Sequence, residues 1–519
     1  MSDEKQYRTA NYRGNARGLN KHEKPEGAEN YTMMQGFEWY EEAGGKYYKK
    51  MMDRVDELAA AGITAIWLPP PCKASSQEGN GYDIYDLWDL GEFDQKGGVA
   101  TKWGTKEELQ ALIKKMKDAG IAAYCDGVMN HKMGADFAET FMATEVAEEN
   151  RNQEIGEMHD IEGWTGFDFK PRNGKYSEFK WNFNHFTGVD YDNKAQKKGI
   201  FKIQGDGKTW AKGVDKEKGS YDFLMGADID HTHPDVREDM LKWGVWMIEH
   251  MGYSGWREDA IKHVGEKWMA DFAVQVREKV GNPDLFFVGE FWKDSLSSLN
   301  GYLDRFPTQF SLFDTPLHYN FKQAGDQAEN YDIRSVFDDT LVQTRPMDAV
   351  TLVENHDTQV GQALESAVAP WFKPLAYALI LLRGDGYPCV FAGDMYGCKG
   401  DPSTEPVSQL ADIVRARKLF AYGPTRDYKD HPQTWGWVRE GDENHDPCAV
   451  VICNGTSDGE KRMQLPGGHA GEVFTDVLGW YQGEVTIGED GWADFKCHER
   501  SISIWVKKDA RGREEFGGK

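Results

Sequence analysis

Residues Tyr253–Phe291, YSGWREDAIKHVGEKWMADFAVQVREKVGNPDLFFVGEF, decide the fold because they hold a strand, a helix and a second strand in succession. Tyr253–Asp259 and Leu285–Phe291 are short apolar runs, and Glu266–Val280 between them has helical periodicity. In the first strand Arg257 and Asp259 lie two apart, so they face the same side. A guanidinium beside a carboxylate favours its ionised form, which a carboxylate nucleophile requires. Taken alone, the pair reads more readily as a structural ion pair, which most Arg/Asp neighbours are.

The same alternation extends in both directions. Upstream come a strand at Tyr31–Phe37 and a helix over Lys46–Ala61, with Tyr47, Met51, Met52, Val55, Leu58 and Ala59 on one stripe before Gly62. Thr64–Pro70 is a continuous apolar run of the kind buried on both faces. Thr105 and Glu108 form a capping-box pattern for a helix ending at Gly120, and Ile121–Val128 is the next strand. Asp235–Gly252 reads as the helix before Tyr253, while Phe310–Asp314, Ala349–Asn355 and Tyr387–Asp394 supply three further strands.

Eight strands alternating with helices predict an α/β fold, a closed parallel (β/α)₈ TIM barrel. A doubly wound sheet is the competing arrangement. The hundred or so residues of Lys132–Pro234 are too long for a loop and predict an inserted subdomain. Beyond Gly423 the pattern becomes short strands and turns (Thr434–Arg439, Ala449–Asn454, Glu472–Asp476, Ser501–Lys507), which predict a C-terminal antiparallel β-sandwich. The expected division is a disordered tail at 1–30, a barrel domain at 31–131 and 235–422, an insert at 132–234 and a β-domain at 423–519.

Composition narrows the partners. A net charge of −25 disfavours nucleic acid and anionic membranes. No apolar run approaches the ~18 residues of a membrane span. Aromatics at 13 %, including 18 Trp and 22 Tyr, suit stacking on sugar rings, although most must serve the core. Seven scattered cysteines without metal-type spacing, and an N-terminus without an apolar signal core, favour a reduced cytoplasmic setting. A leader preceding the sequence given would instead make the protein secreted. A monomer is expected.

Active residues of such barrels come from the C-terminal ends of several strands. Those ends bring Asp126, Asn130 and His131, then Arg257 and Asp259, then Glu290, and finally Asn355-His356-Asp357 toward one mouth. Paired acids beside aromatics suggest glycoside hydrolysis. A metal-dependent hydrolase is the chemical rival, but the first strand has no His-x-His pair and no histidine cluster is apparent.

The segments DGVMNH (Asp126–His131), GWREDAIKH (Gly255–His263), VGEFW (Val288–Trp292) and LVENHD (Leu352–Asp357) resemble the four ordered signature regions of the α-amylase family, glycoside hydrolase family 13. MQGFEWY, YDIYDLWDLGEF, LMGADID with HPDV, and FAGDMYG are similar to the liquefying bacterial members. The resemblance implies Asp259 as nucleophile, Glu290 as general acid/base and Asp357 as the third acid, which grips the sugar. Phe291 and Trp292 beside Glu290 are expected to raise its pKa, and a retaining pair implies carboxyls about 5–5.5 Å apart. It further implies sugar contacts from Tyr82, His131, Arg257, Lys262, His263, Trp292 and His356. One structural Ca²⁺ is implied, held by Asn130, Asp222, Asp228 and the carbonyl of His263.

Three departures stand out. Thr187, Ala211 and Thr232 occupy positions where the liquefying relatives carry aspartates, which leaves Asp230 largely alone and puts their additional metal cluster in doubt. Glu258 replaces an apolar residue and points toward the helix layer, where a partner or partial exposure is expected. A secretion signal is not seen. The leading expectation is an endo-acting α-1,4-glucan hydrolase on starch, glycogen or maltodextrins. The alternatives are a transglycosylase using the same glucosyl-enzyme and a non-catalytic glucan-binding protein.

Overall fold

Short strands rich in buried apolar residues form the centre of the molecule, a computed structural model that describes residues 30–516. They are β1 (Met33–Gln35), β2 (Ala65–Trp67), β3 (Ala122–Gly127), β4 (Gly255–Glu258), β5 (Phe286–Gly289), β6 (Ser311–Phe313), β7 (Ala349–Leu352) and β8 (Tyr387–Phe391). All pair in parallel with their chain neighbours, and β8 returns to β1 with Met34 opposite Val390, closing the barrel. The doubly wound alternative is thereby excluded. The expected disordered tail lies, but for Asn30, outside the described residues.

Each strand is followed by a helix: α1 (Tyr47–Ala61), α2 (Lys106–Asp118), α3 (Pro234–Glu249), α4 (Glu266–Lys279), α5 (Leu296–Arg305), α6 (Thr315–Gln327), α7 (Lys373–Leu381) and α8 (Leu410–Phe420). Tyr47, Met51, Val55 and Leu58 of α1 are buried against the barrel, and Gly62 caps the helix at φ 110°, a conformation costly for any other residue. The Thr105–Glu108 capping box is formed, with each side chain accepting the other's backbone N–H. The ladders are shorter than the apolar runs that predict them. Past Phe391, for example, the chain leaves the sheet for a one-turn helix at Ala392–Tyr396.

The long connection after β3 forms its own antiparallel sheet. Its strand Ala227–Ile229 pairs with His131–Lys132, so the insert begins in register with the continuation of β3. Phe186–Asp192, Lys197–Ile203, Phe137–Ala147 and Asn150–Glu154 follow across that sheet, with His159–Gly166 against Phe137–Ala147. At the C-terminus, six antiparallel strands and the pair Gly459–Gln464 with Trp492–Cys497 enclose Val438, Met463, Phe495 and Trp505 as a sandwich. This layer is tied to the barrel where Trp437 Nε1 and Arg439 Nη1 each donate to Leu382 O at 3.2 Å. The seven cysteines are all unpaired and buried. Among the described residues no helix is long and apolar enough to cross a membrane.

Glu258 departs from expectation. It is fully buried, and neither carboxyl oxygen has a hydrogen-bond partner among the described residues. The expected partner or partial exposure is found for neither oxygen among the described residues. Burial pushes the Glu258 carboxyl well above the usual range, which favours the uncharged form. Gly127 beside it has no room for a side chain, since a Cβ there would lie 2.6 Å from Glu258 Oε2.

Candidate active site

Arg257 is the hub of the barrel mouth. Register places it opposite Asp126 on β3 and Val288 on β5. Its Nη1 donates to Asp126 Oδ1 at 2.9 Å and to Asp259 Oδ1 at 2.5 Å, while Nη2 pairs with Glu290 Oε2 at 2.8 Å. The guanidinium lies 4.7 Å over the Trp67 ring and is wholly buried. One cation therefore serves three buried carboxyls.

That sharing modifies the expectation for the nucleophile. Burial raises the Asp259 carboxyl above the usual range and the charges of Glu290 and Asp126 add to it, against the pull of Arg257. Arg257 does not hold Asp259 in the ordinary carboxylate range, because burial and the two neighbouring acids outweigh its pull. The surroundings of Glu290 also differ from expectation. Phe291 packs on Tyr302, and Trp292 on His318 and Tyr319, while the Glu290 carboxyl accepts the Ala260 N–H at 2.9 Å and pairs with Arg257. Ala260 adopts φ 48°, a left-handed conformation unusual for alanine, immediately after Asp259. Local strain thus aims a backbone donor at the second acid.

Asp357 closes the group at the end of β7. Asn355 Oδ1 accepts the N–H groups of Asp357 and Thr358, both at 2.9 Å, which fixes the turn that presents it. Burial pushes its carboxyl up to about 6. His356 Nε2 lies 3.3 Å from Asp357 Oδ2, and its ring is near-parallel to Tyr82 (4.9 Å) and Trp39 (6.0 Å). Burial lowers His356 to about 3, so the ring is neutral. Tyr82 donates its hydroxyl to Asp126 Oδ2 at 2.7 Å.

The remaining expected contacts divide. Lys262 Nζ donates to Trp292 O at 3.1 Å, and Trp292 Nε1 donates to Tyr319 OH at 3.1 Å. His263 Nδ1 bonds Tyr221 O at 2.7 Å, tying the loop after β4 to the insert. His131 Nε2 bonds Tyr82 O at 2.7 Å and its Nδ1 faces Asn130 Nδ2 at 3.3 Å. Both ring nitrogens are taken by the protein, so here it braces the Tyr82 segment. Asp126, Trp67, Trp39 and Gln35 complete the mouth. Gln35 and Trp67 occupy the ends of β1 and β2, the signal that could have found them.

Below the mouth, Asp222 and Asp228 are buried against each other. Asp222 Oδ2 accepts the Ala211 N–H at 2.8 Å and Asp228 Oδ2 accepts the Thr187 hydroxyl, but Asp228 Oδ1 is buried without a partner among the described residues. Burial raises Asp222 to about 7 and pushes Asp228 well above the usual carboxylate range. Two touching buried carboxyls must share a proton or enclose a cation. Hard oxygen donors with one oxygen orphaned fit Ca²⁺.

Asp230 is not left alone. Burial works to raise its carboxyl, yet Lys208, with Nζ 2.8 Å from Oδ2, and the Thr232 hydroxyl hold it below the usual range. Lys208 also donates to Asn184 O at 2.5 Å and Phe186 O at 3.0 Å, so an ammonium ion joins the segments there. His185, His233 and Asp235 approach closely enough to be considered as metal ligands. Their chemistry argues against it, because both Nδ1 atoms accept backbone N–H groups (Asn182 at 3.0 Å, Asp235 at 3.3 Å). An imidazole whose Nδ1 accepts carries its proton on Nε2, leaving no lone pair for a metal.

Residues 48–440 match the family model described as alpha amylase, catalytic domain, and residues 449–506 match alpha-amylase C-terminal. The chain belongs to the α-amylase family. Within that family of glycoside hydrolases it is 45 % identical over 482 residues to glucan 1,4-alpha-maltohexaosidase of Bacillus sp. (strain 707), covering 92 % of this chain and 93 % of that one. It is 45 % identical to an alpha-amylase of Bacillus licheniformis, covering 92 % and 94 %. It is 42 % identical to the cytoplasmic alpha-amylase of Escherichia coli (strain K12), covering 92 % and 99 %. The fold is similar to that of the alpha-amylase from Geobacillus thermoleovorans complexed with acarbose (TM-score 0.61, 16 % identity, 92 % and 98 % covered).

Proposed function

We propose that this chain is an endo-acting α-amylase that hydrolyses α-1,4-glucosidic bonds of starch, glycogen or maltodextrins by retaining double displacement. The observation that carries this reading is the grouping of Asp259 and Glu290 on one guanidinium, with Asp357 beside them. Asp259 attacks the anomeric carbon while Glu290 protonates the leaving oxygen, and the glucosyl ester that results is hydrolysed by water activated by Glu290. Arg257 stabilises whichever acid is ionised at each stage, so the proton passes within a set of fixed total charge. Asp357 and His356 grip the ring hydroxyls over the Tyr82 platform, and Lys262, His263 and Trp292 line the leaving-group side.

The insert at 132–234 forms one wall of the cleft. One Ca²⁺ held by Asn130, Asp222, Asp228 and the His263 carbonyl would supply the charge that lets both carboxylates ionise and would pin that wall. Lys208 makes a second metal beside it unnecessary. A cytoplasmic setting suits the seven unpaired cysteines and the E. coli relative's name. The test is mass-resolved products from soluble starch and maltoheptaose. Internal cleavage with retained anomeric configuration supports the reading; longer oligomers from maltotriose favour glucosyl transfer; full activity in Asp259→Asn overturns both.

A further inference from the structure

Gln35 ends β1 at the barrel mouth, opposite Trp67 on one side and Phe391 on the other. It is 1 % exposed, and its amide Nε2 lies 2.8 Å from Nδ1 of His356. Its Oε1 is buried without a partner among the described residues. An orphaned buried carbonyl is costly, and turning the amide over would only exchange it for an orphaned NH₂. The choice between the two orientations therefore has a chemical rather than an energetic meaning. A donor at Nδ1 forces the neutral imidazole to carry its proton on Nε2, whereas an acceptor there would force it onto Nδ1.

Nε2 is the nitrogen on the reacting side, 3.3 Å from Asp357 Oδ2. The ring cannot readily turn to exchange its nitrogens, because it is enclosed by Phe37 (5.3 Å), Trp67 (5.7 Å) and Tyr82 (4.9 Å). We propose that Gln35 is a positioning residue for catalysis: by donating to Nδ1 it fixes His356 as the Nε2–H tautomer, so that the histidine presents an N–H rather than a lone pair to the bound sugar beside Asp357. This rests on the reading of His356 as a sugar contact, but the tautomer itself is a property of the free protein. A glutamate at 35 would accept from Nδ1 and reverse the polarity of the whole line. A methionine would leave Nδ1 without direction.

The decisive measurement is the long-range ¹H–¹⁵N spectrum of the full chain labelled with ¹⁵N-histidine, with His356 assigned by its loss in His356→Asn. A pyridine-type Nδ1 and a pyrrole-type Nε2 at pH 7 are expected, reversed or doubly protonated in Gln35→Glu. In kinetics on maltoheptaose, Gln35→Glu is expected to lower kcat by about 100-fold, the usual cost of one lost donor, with KM little changed. Gln35→Met should fall between it and wild type. A pyrrole-type Nδ1 in the wild type overturns the proposal, as does an unaltered tautomer or undiminished kcat in Gln35→Glu. If that variant does not fold, the wild-type spectrum and Gln35→Met decide. Absence of glucan cleavage by the wild type alongside the expected spectrum would overturn the activity and the catalytic role assigned to Gln35, leaving only the tautomer assignment.

Discussion

Arg257 Nη1 lies 2.5 Å from Asp259 Oδ1 while the same guanidinium touches Asp126 and Glu290, so the acids proposed as nucleophile and general acid share one cation. Replacing it leaves three buried acids with the cation gone. Arg257→Met is expected to destabilise the fold by about 3–5 kcal/mol. Activity should fall at least about 10³-fold. Denaturant midpoints and kcat on maltoheptaose check this, and Arg257→Lys should recover stability better than activity because it cannot reach two acids at once.

Asp222 and Asp228 predict the response to metal. Chelation should lower Tm, and titration of the stripped protein with Ca²⁺ should show one tight equivalent. At a thousandfold excess over Kd the ion would add about 4 kcal/mol. Asp228→Asn should abolish that increment. A second tight equivalent would contradict the part given to Lys208.

Glu258 makes no side-chain hydrogen bond among the described residues and is fully buried. Replacing it with methionine, similar in length but apolar, should stabilise the protein by about 1–3 kcal/mol. Equilibrium unfolding in urea measures the gain, and a loss of stability would mean that the carboxyl has a partner after all.

The pH dependence follows from groups of opposite sense. His318 and His185 are lowered to about 4 by burial and His356 to about 3. Unfolded, each titrates near ~6.5. Below that value the unfolded chain binds more protons than the folded one, so stability falls with falling pH down to about 4. Asp357, raised to about 6, runs the other way. Between ~3.9 and about 6 the folded state holds the extra proton, and that contribution is lost as pH rises through this window. Stability curves of wild type and Asp357→Asn should therefore diverge between pH 4 and 6, with the variant gaining relative stability as pH increases.

How much of this was legible follows from what each inference needs. The barrel and its rim needed only local periodicity and the rule that strand ends converge, so Asp126, Arg257, Asp259, Glu290 and Asp357 could all be placed. The depth of Glu258 could not, because alternation gives direction and not the thickness of what lies above. Lys208 and Asp230 are 22 residues apart in irregular chain, and no period links them. The division of Arg257 among three acids depends on side-chain reach across β3, β4 and β5, which no single strand records. His131 was assigned by motif, and its actual bonds to Tyr82 and Asn130 emerge only when the insert is in place.

The strand Ala227–Ile229 holds Asp228 directly across from His131, and His131 in turn holds the carbonyl of Tyr82. A disturbance at the carboxylate pair is thus only two contacts away from the ring under the substrate. Warming or chelation that loosens the insert should spoil sugar binding while the barrel is still intact.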